Sequence, residues 1–525
     1  MPVPDGTGES EEPEVDPNRG DLGLLRAPWF LTEGERGNRH TSLNAWSSGN
    51  LVHSLIDGRE YFERVASALD GLRTGDQVYF AAWAGDPHEG LTVDGSEIGK
   101  LMCRALDAGA SVHGLFWAPM PRGKPDYVKE NERFIELLRA HGGSALLDRR
   151  VRLFGSHHQK FLVIRRRDAP EEDVAFLGGI DPSPSRRDDG THRGDSQVQD
   201  DIAEAYGDRP PWHDLQLAVS GPAVAEVETC FRERWDDVRQ AQPSTWHRDP
   251  GALPAQDPPP PVAGPHAVQV LRTYPKKKGP PYRFAPEGEY SIARAYAKAL
   301  ARAQHFIYVE DQFLWSPMVA DAFAEALRRV PELRLVAVLP HQPDQDDRVL
   351  RAVNDLNQRR AMDLLREAGG SRVDFLELVN GDDVPIFVHS KVCVIDDVWA
   401  TAGSANLNRR SWTYDSELSA AVVDETPDGS FARGLRVRLW REHLQRADDT
   451  DLADVDTGIA ALRKAADELE RWYASGRVGP RPPGHVRRHP RPRDSAVTGA
   501  WAAPVSRLVV DPDGRPRTPR SRNVS

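Results

Sequence analysis

The sequence predicts an α/β layered fold that is built twice. Three observations carry this. Helical and strand-like periods alternate along the chain. The same order of elements returns after a Pro-rich break. Each copy also leads to a Val/Ile-rich strand that carries His-x-Lys.

In the first copy, patterning begins near residue 44. It runs through a strand at 78–85 (VYFAAWAG), a helix at 97–109 and a strand at 111–118 (SVHGLFWA). A helix at 131–142 follows, and then the strand HHQKFLVIR at 157–165. The stretch RDPGALPAQDPPPPVAGP (248–265) is the clearest linker, because Pro removes backbone donors and resists regular structure. Beyond it come strand 267–274, helix 291–303, strand 305–314, helix 319–330, strand 333–340, a helical stretch at 348–368 and the strand FVHSKVCVID at 387–396. This organisation predicts an acidic, disordered tail over 1–40, a first half over 41–247, the linker 248–265, a second half over 266–475 and an Arg/Pro-rich tail over 476–525, whose apolar piece at 507–515 has the character of a docking segment.

Bulk properties narrow the function classes. A chain of 525 residues is long enough for two domain-sized units, and its mean hydropathy of −0.57 is ordinary for a soluble protein. The formal net charge of −12 argues against whole-surface attraction to nucleic acid or anionic lipid. Cys103, Cys230 and Cys393 are far apart and lack CxxC spacing, so they read as buried thiols and make neither a disulfide framework nor a zinc cluster. The first residues show no basic and apolar signal pattern, and no stretch approaches the roughly 18 apolar residues that cross a bilayer. A soluble, cytoplasmic protein is expected.

The chemistry concentrates in the two His-x-Lys strands. On a strand, residues i and i+2 share a face, so His158 projects with Lys160 and His389 with Lys391. A proton-transfer or nucleophilic group beside a fixed positive charge suits an anionic substrate such as a phosphate. After the first pair come Gly178, Gly179 and Asp181; after the second come Asp396, Gly403, Ser404 and Asn406. No P-loop, HExxH or GxSxG pattern suggests a competing chemistry.

These paired motifs resemble those of the phospholipase D superfamily. Further likeness lies in IYVEDQF (307–313), PWHDLQLAVSGPAVAEVETCFRERW (211–235), VHSKVCVIDD and GSANLNRRS, and it extends over about 45–450. It is nearer to phospholipase D itself than to the small nuclease members. The resemblance implies two α/β/α sandwich halves related by a pseudo-two-fold axis, with the active site at their interface. It implies that His158 attacks phosphorus to form a phosphohistidine and that His389 protonates the leaving alcohol, then activates water or a second alcohol. Lys160, Lys391 and Asn406 would stabilise charge on the phosphoryl oxygens. Glu417 would hold His158, and Asp188, with Asp189 as its neighbouring rival, would hold His389. Asp396, Ser404, Gly178, Gly179 and Asp181 would support the site. No metal or cofactor is implied. The implied partner is a phospholipid met peripherally at a membrane surface by a monomer, with nucleic acid disfavoured.

The first motif departs from the pattern. Arg165 occupies the position where Asp is expected, and Asp168 or Asp173 in the following insert stands as a substitute. His157 falls on the strand face opposite to His158. Lys276, Lys277 and Lys278 read as a solvated loop before a headgroup site, and Trp83, Trp117 and Trp315 as packing before acyl-chain contacts. The rival readings are a cardiolipin synthase-like phosphatidyltransferase, a nuclease of the same superfamily and a catalytically silent lipid-binding scaffold.

Overall fold

A computed structural model describes residues 28–119, 126–199, 202–241, 250–343, 348–426, 429, 431–492, 506 and 510–515. The first half contributes β1 (Ser47–Ile56), β2 (Gln77–Ala82), β3 (Ser111–Trp117), β4 (Ser144–Asp148), β5 (Phe161–Arg165), β6 (Val174–Gly178), a two-residue β7 (Trp212–His213) and β8 (Leu215–Ser220). The second contributes β9 (His266–Tyr274), β10 (Glu289–Tyr290), β11 (Phe306–Glu310), β12 (Arg334–Val338), β13 (Val373–Leu378), β14 (Phe387–Val388), β15 (Val392–Ile395), β16 (Trp399–Gly403) and β17 (Glu417–Asp424). A last strand, β18 (Val486–Arg488), follows.

All of these strands except β7 and β14 form one continuous sheet. Counted outward from its centre, the first half runs β1-β8-β6-β5-β2-β3-β4 and the second runs β9-β17-β16-β15-β11-β12-β13, the same order by rank in the chain. The halves join where β1 pairs antiparallel with β9, with Ser47 opposite Val268 and Asn50 opposite His266. Alternation along each strand builds a layer on either face. In β2, Val78, Phe80 and Ala82 pack beneath helices Asp57–Leu69, Ile98–Asp107 and Asp126–Ala140, whereas Tyr79 and Ala81 point into a core shared with helix Ala223–Ala241. The second half repeats this. Helices Ser291–Leu300 and Pro317–Arg329 lie on one face, and Phe431–His443 and Val455–Ala474 on the other.

The boundaries differ from expectation at three places. Residues 28–40 are ordered rather than part of a disordered tail: Phe30 and Leu31 are buried, and the buried Arg36 pairs with Glu289 at 3.1 Å. Residues 1–27 lie outside the described residues. The Pro-rich stretch takes no helix or strand over 250–263, yet it is tied to the first half, since Arg165 and Arg232 donate to the carbonyls of Pro258 and Pro254. The segment after 475 supplies β18, which covers the edge of β13. In the piece expected at 507–515, described over 510–515, Asp511 accepts from Arg410 N and Gly514 N donates to Thr413.

The two His-x-Lys segments are not strands of the sheet. Regular pairing begins only at Phe161 and Val392, because the residues before them bond across to the other half. His158 N donates to Ser416 O at 2.9 Å, and His389 N donates to His213 O at 2.8 Å. β14 and β7 form a separate two-stranded parallel pair.

Candidate active site

This crossing over assembles the site. Each motif leaves the sheet to reach the segment that leads into β17 or β8 of the other half, and so each histidine meets a carboxylate from the opposite half. His158 Nδ1 lies 3.0 Å from Glu417 Oε2 and 3.1 Å from the carbonyl of Ser404. His389 Nδ1 lies 2.6 Å from Asp214 Oδ2. Glu417 opens β17 and Asp214 immediately precedes β8, its counterpart by rank in the first half.

Asp188 does not hold His389, and neither does Asp189. The Asp188 carboxylate accepts from Trp212 N at 2.9 Å, Gly194 N at 3.1 Å and Asp189 N at 2.9 Å, which fixes the loop before β7. Asp189 pairs with Arg59 at 2.9 Å and accepts from Thr191 at 2.6 Å. These aspartates belong to a long excursion between β6 and β7, and Asp214 takes the place beside His389.

His158, Lys160, Asp181, His389, Asn406 and Glu417 line one cavity of about 770 Å³. Lys160 Nζ donates to His158 O at 3.1 Å and lies 3.3 Å from Asp181 Oδ2. Lys391 Nζ makes the matching bond to His389 O. The turns correspond as well: Gly178-Gly179-Ile180-Asp181 ends β6, and Gly403-Ser404-Ala405-Asn406 ends β16. Asn406 Oδ1 is buried without a hydrogen-bond partner.

Burial sets the electrostatics. Both site imidazoles are pushed well below the usual histidine range, by burial first and by the neighbouring lysine charges second. Burial alone would raise Asp214, but the His389 imidazole and Lys391 hold its carboxyl down at about 2. Glu417 is pushed up to about 7 by burial, against hydrogen bonds from Ser404 at 2.5 Å and Ser411 at 2.8 Å. Burial also pulls Lys391 down to about 8.

Several expected residues are structural. Asp396 sits at the far end of β15 and accepts from Gln304 N, His305 N and Phe306 N at 2.8–2.9 Å. Arg165 is buried and ion-paired with Asp173 and Glu228, so Asp173 serves that arginine; Asp168 is exposed. His157 is buried and points to Ser416 Oγ at 3.0 Å. Lys276 pairs with Glu287 and Lys277 lies over the Tyr282 ring. Trp83, Trp117 and Tyr127 stack on one wall of the cavity, with ring centroids 4.6–5.5 Å apart, and Trp315 stacks on Phe313 on the wall. Asp311 had no assigned role in the sequence; buried, it accepts from Phe313 N, Leu314 N and Leu407 N, and so anchors the Asn406 turn.

Among the described residues, no helix is long and apolar enough to cross a membrane. The family model described as Phospholipase D matches residues 139–320, and that described as Cardiolipin synthase, PLD-like domain, matches 296–438. Phospholipase D alpha 1 of Cynara cardunculus is 26% identical over 75% of this chain and 64% of its own length. Phospholipase D beta 2 of Arabidopsis thaliana is 28% identical over 65% and 49%, and phospholipase D A of Dictyostelium discoideum is 25% identical over 75% and 35%. The chain therefore spans less than two thirds of these relatives' lengths. Among solved structures, the phosphatidylserine synthase of Haemophilus influenzae Rd KW20 aligns over 85% of this chain and 90% of its own, at 12% identity and a TM-score of 0.48. With its paired motifs brought to one cavity and its sequence matched to these relatives, the chain belongs to the phospholipase D superfamily.

Proposed function

We propose that the protein is a phospholipase D-type phosphodiesterase that hydrolyses a glycerophospholipid to phosphatidate and free alcohol, and that it transfers the phosphatidyl group to a second alcohol through the same intermediate. One observation carries the reading. Two imidazoles line one cavity, each held at Nδ1 by a carboxylate from the opposite half, which leaves each Nε2 available for chemistry.

The environments support different roles. The Nδ1 contacts of His158 are a carbonyl oxygen and Glu417, whose carboxyl favours its proton more than most. This arrangement places hydrogen on Nδ1 and leaves an Nε2 lone pair, as a nucleophile requires. His389 instead faces Asp214, which stays ionised and stabilises an imidazolium. A bound phosphodiester brings negative charge to Lys160 and Lys391, offsets their depression of the imidazoles and lets His389 carry a proton. His158 Nε2 then attacks phosphorus while the bond to the headgroup oxygen breaks, and His389 Nε2 delivers its proton to that oxygen. In the second half-reaction His389 takes a proton from water or an alcohol, the new oxygen attacks phosphorus and the P–N bond breaks. The lysines and Asn406 bear the equatorial charge.

The stacked aromatic wall supports a lipid substrate. So do Phe154, which lines the cavity, and its chain neighbour Leu153, 51% and 56% exposed, which provide apolar contact with a membrane surface. The test is headgroup release from mixed phosphatidylcholine and phosphatidylethanolamine micelles with a primary alcohol present. Wild type is expected to form the phosphatidyl alcohol, and His158→Ala and His389→Ala to lose at least about a thousand-fold in rate. Equal rates in wild type and either variant would sink the proposal.

A further inference from the structure

A second cluster of ionisable groups lies behind the His389 backbone. Asp57 begins helix Asp57–Leu69, His192 lies in the loop after β6, His213 is in β7 and Glu442 comes from helix Phe431–His443 of the second half. One ligand atom from each lies within 4.8 Å of all the others. We infer that these four side chains bind a divalent transition-metal ion, zinc foremost, as a staple between the halves. The inference stands apart from the lipid chemistry and uses none of its residues.

Distances fit first. His213 Nδ1 is 2.9 Å from Asp57 Oδ1 and 3.2 Å from Glu442 Oε1. His192 Nε2 is 3.6 Å from Glu442 Oε1 and 4.0 Å from Asp57 Oδ2. Bonds of about 2.0–2.1 Å in a tetrahedron put donor atoms about 3.3 Å apart, so small side-chain movements complete the geometry. Two imidazoles with two carboxylates form a donor set that suits zinc among the first-row ions.

Unsatisfied atoms make the second observation. Asp57 Oδ2, His192 Nε2 and Glu442 Oε1 have no hydrogen-bond partner, although Asp57 and His192 are only 1% and 0% exposed. Among the described residues, only the ion-pair contacts of 3.2–4.0 Å within the cluster reach them, and buried polar atoms short of hydrogen-bond geometry are costly unless something satisfies them more fully. The outer nitrogens are already committed in the manner of metal ligands. His192 Nδ1 is 3.3 Å from Trp212 O and His213 Nε2 is 3.0 Å from Glu310 Oε2. Glu310 also accepts from Ser390 and from Tyr308, each at 2.6 Å, so in the overlapping trio of His213, Glu310 and His443 the carboxylate is already taken, although His443 Nδ1 lacks a partner. Asp57 and His192 both hold positive φ, 63° and 48°, a backbone cost that a functional constraint accounts for.

His213 O accepts from His389 N, and Asp214 is the next residue in the chain, so the ion would brace the segment that presents the acid–base pair. Tag-free, full-length protein purified without chelator is measured by inductively coupled plasma mass spectrometry and by thermal unfolding. About one equivalent of zinc per chain is expected, or, from a metal-poor preparation, a rise in Tm of several degrees on adding one equivalent of zinc sulfate. Glu442→Gln and His192→Ala are expected to bind at least about tenfold more weakly. Glu442→Gln decides the matter if His192→Ala does not fold, because it keeps its volume at a partly exposed position. Less than about a tenth of an equivalent together with no Tm response to zinc would overturn the inference and leave a buried ion-pair network. Unchanged zinc content in Glu442→Gln would overturn it too, by locating the metal elsewhere.

Discussion

Asp214 and Glu417 each hold a site histidine, yet the aspartate is shorter by one methylene, and Gly179 is what lets it sit where it does. A Cβ on Gly179 would come within 2.1 Å of Asp214 Oδ1. In the second half the corresponding residue is Ser404, whose hydroxyl donates to Glu417. Gly179→Ala is therefore expected to displace Asp214 and misalign His389, with activity falling about a hundred-fold while the fold persists. A variant with the wild-type rate would show that Asp214 does not position the acid. Glu417 supports a pH prediction. Its carboxyl lies at about 7 when folded, against 4.5 for an ordinary glutamate, so the folded chain keeps a proton that the unfolded chain releases. The stability this proton contributes is fully present below about pH 4.5 and is lost as pH rises through 7. Relative to wild type, Glu417→Gln is expected to gain roughly 3 kcal/mol between those limits, on top of any constant offset from the changed hydrogen bonds. Denaturant unfolding of both proteins across that range measures it, and a pH-independent difference would exclude it.

At the scale of the element, the alternation of periods was enough to locate β2, β3, β11, β12 and the helices between them. It placed the His-x-Lys pairs together, but it extended their strands too far back. Periodicity reports that a segment is extended and not which partner its backbone bonds, and residues 157–160 and 389–391 are extended while bonding across the halves. Glu417 was legible because it follows its turn closely and opens an apolar strand. Asp214 is not legible in that way, because the long excursion that carries Asp188 separates it from the Gly178 turn. The available signal was the strand itself. HDLQLAV (213–219) and SELSAAV (416–422) share an acid followed by an apolar run, and they are the same strand by rank in each half. The metal cluster left no motif, since its four residues come from four separate stretches that only the fold gathers.

For the whole molecule, the exchange of carboxylates means that neither half holds a complete catalytic histidine. The β1–β9 seam and the crossed motifs bind the halves together without help from the Pro-rich connection. A protease site introduced within 250–263 is thus expected, after cleavage, to leave two pieces that co-elute and keep most of the activity. Dissociation on cleavage under native conditions would show that the connection, and not the seam, maintains the assembly. The same seam limits how the enzyme works. Two lobes on a hinge breathe by opening along the line between them, but here that line is a row of strand hydrogen bonds. The seam thus resists a swing of one half against the other. On the proposed lipid reading, substrate and product pass the aromatic and apolar residues that line the cavity, and product escape is expected to depend on them rather than on any swing of the halves.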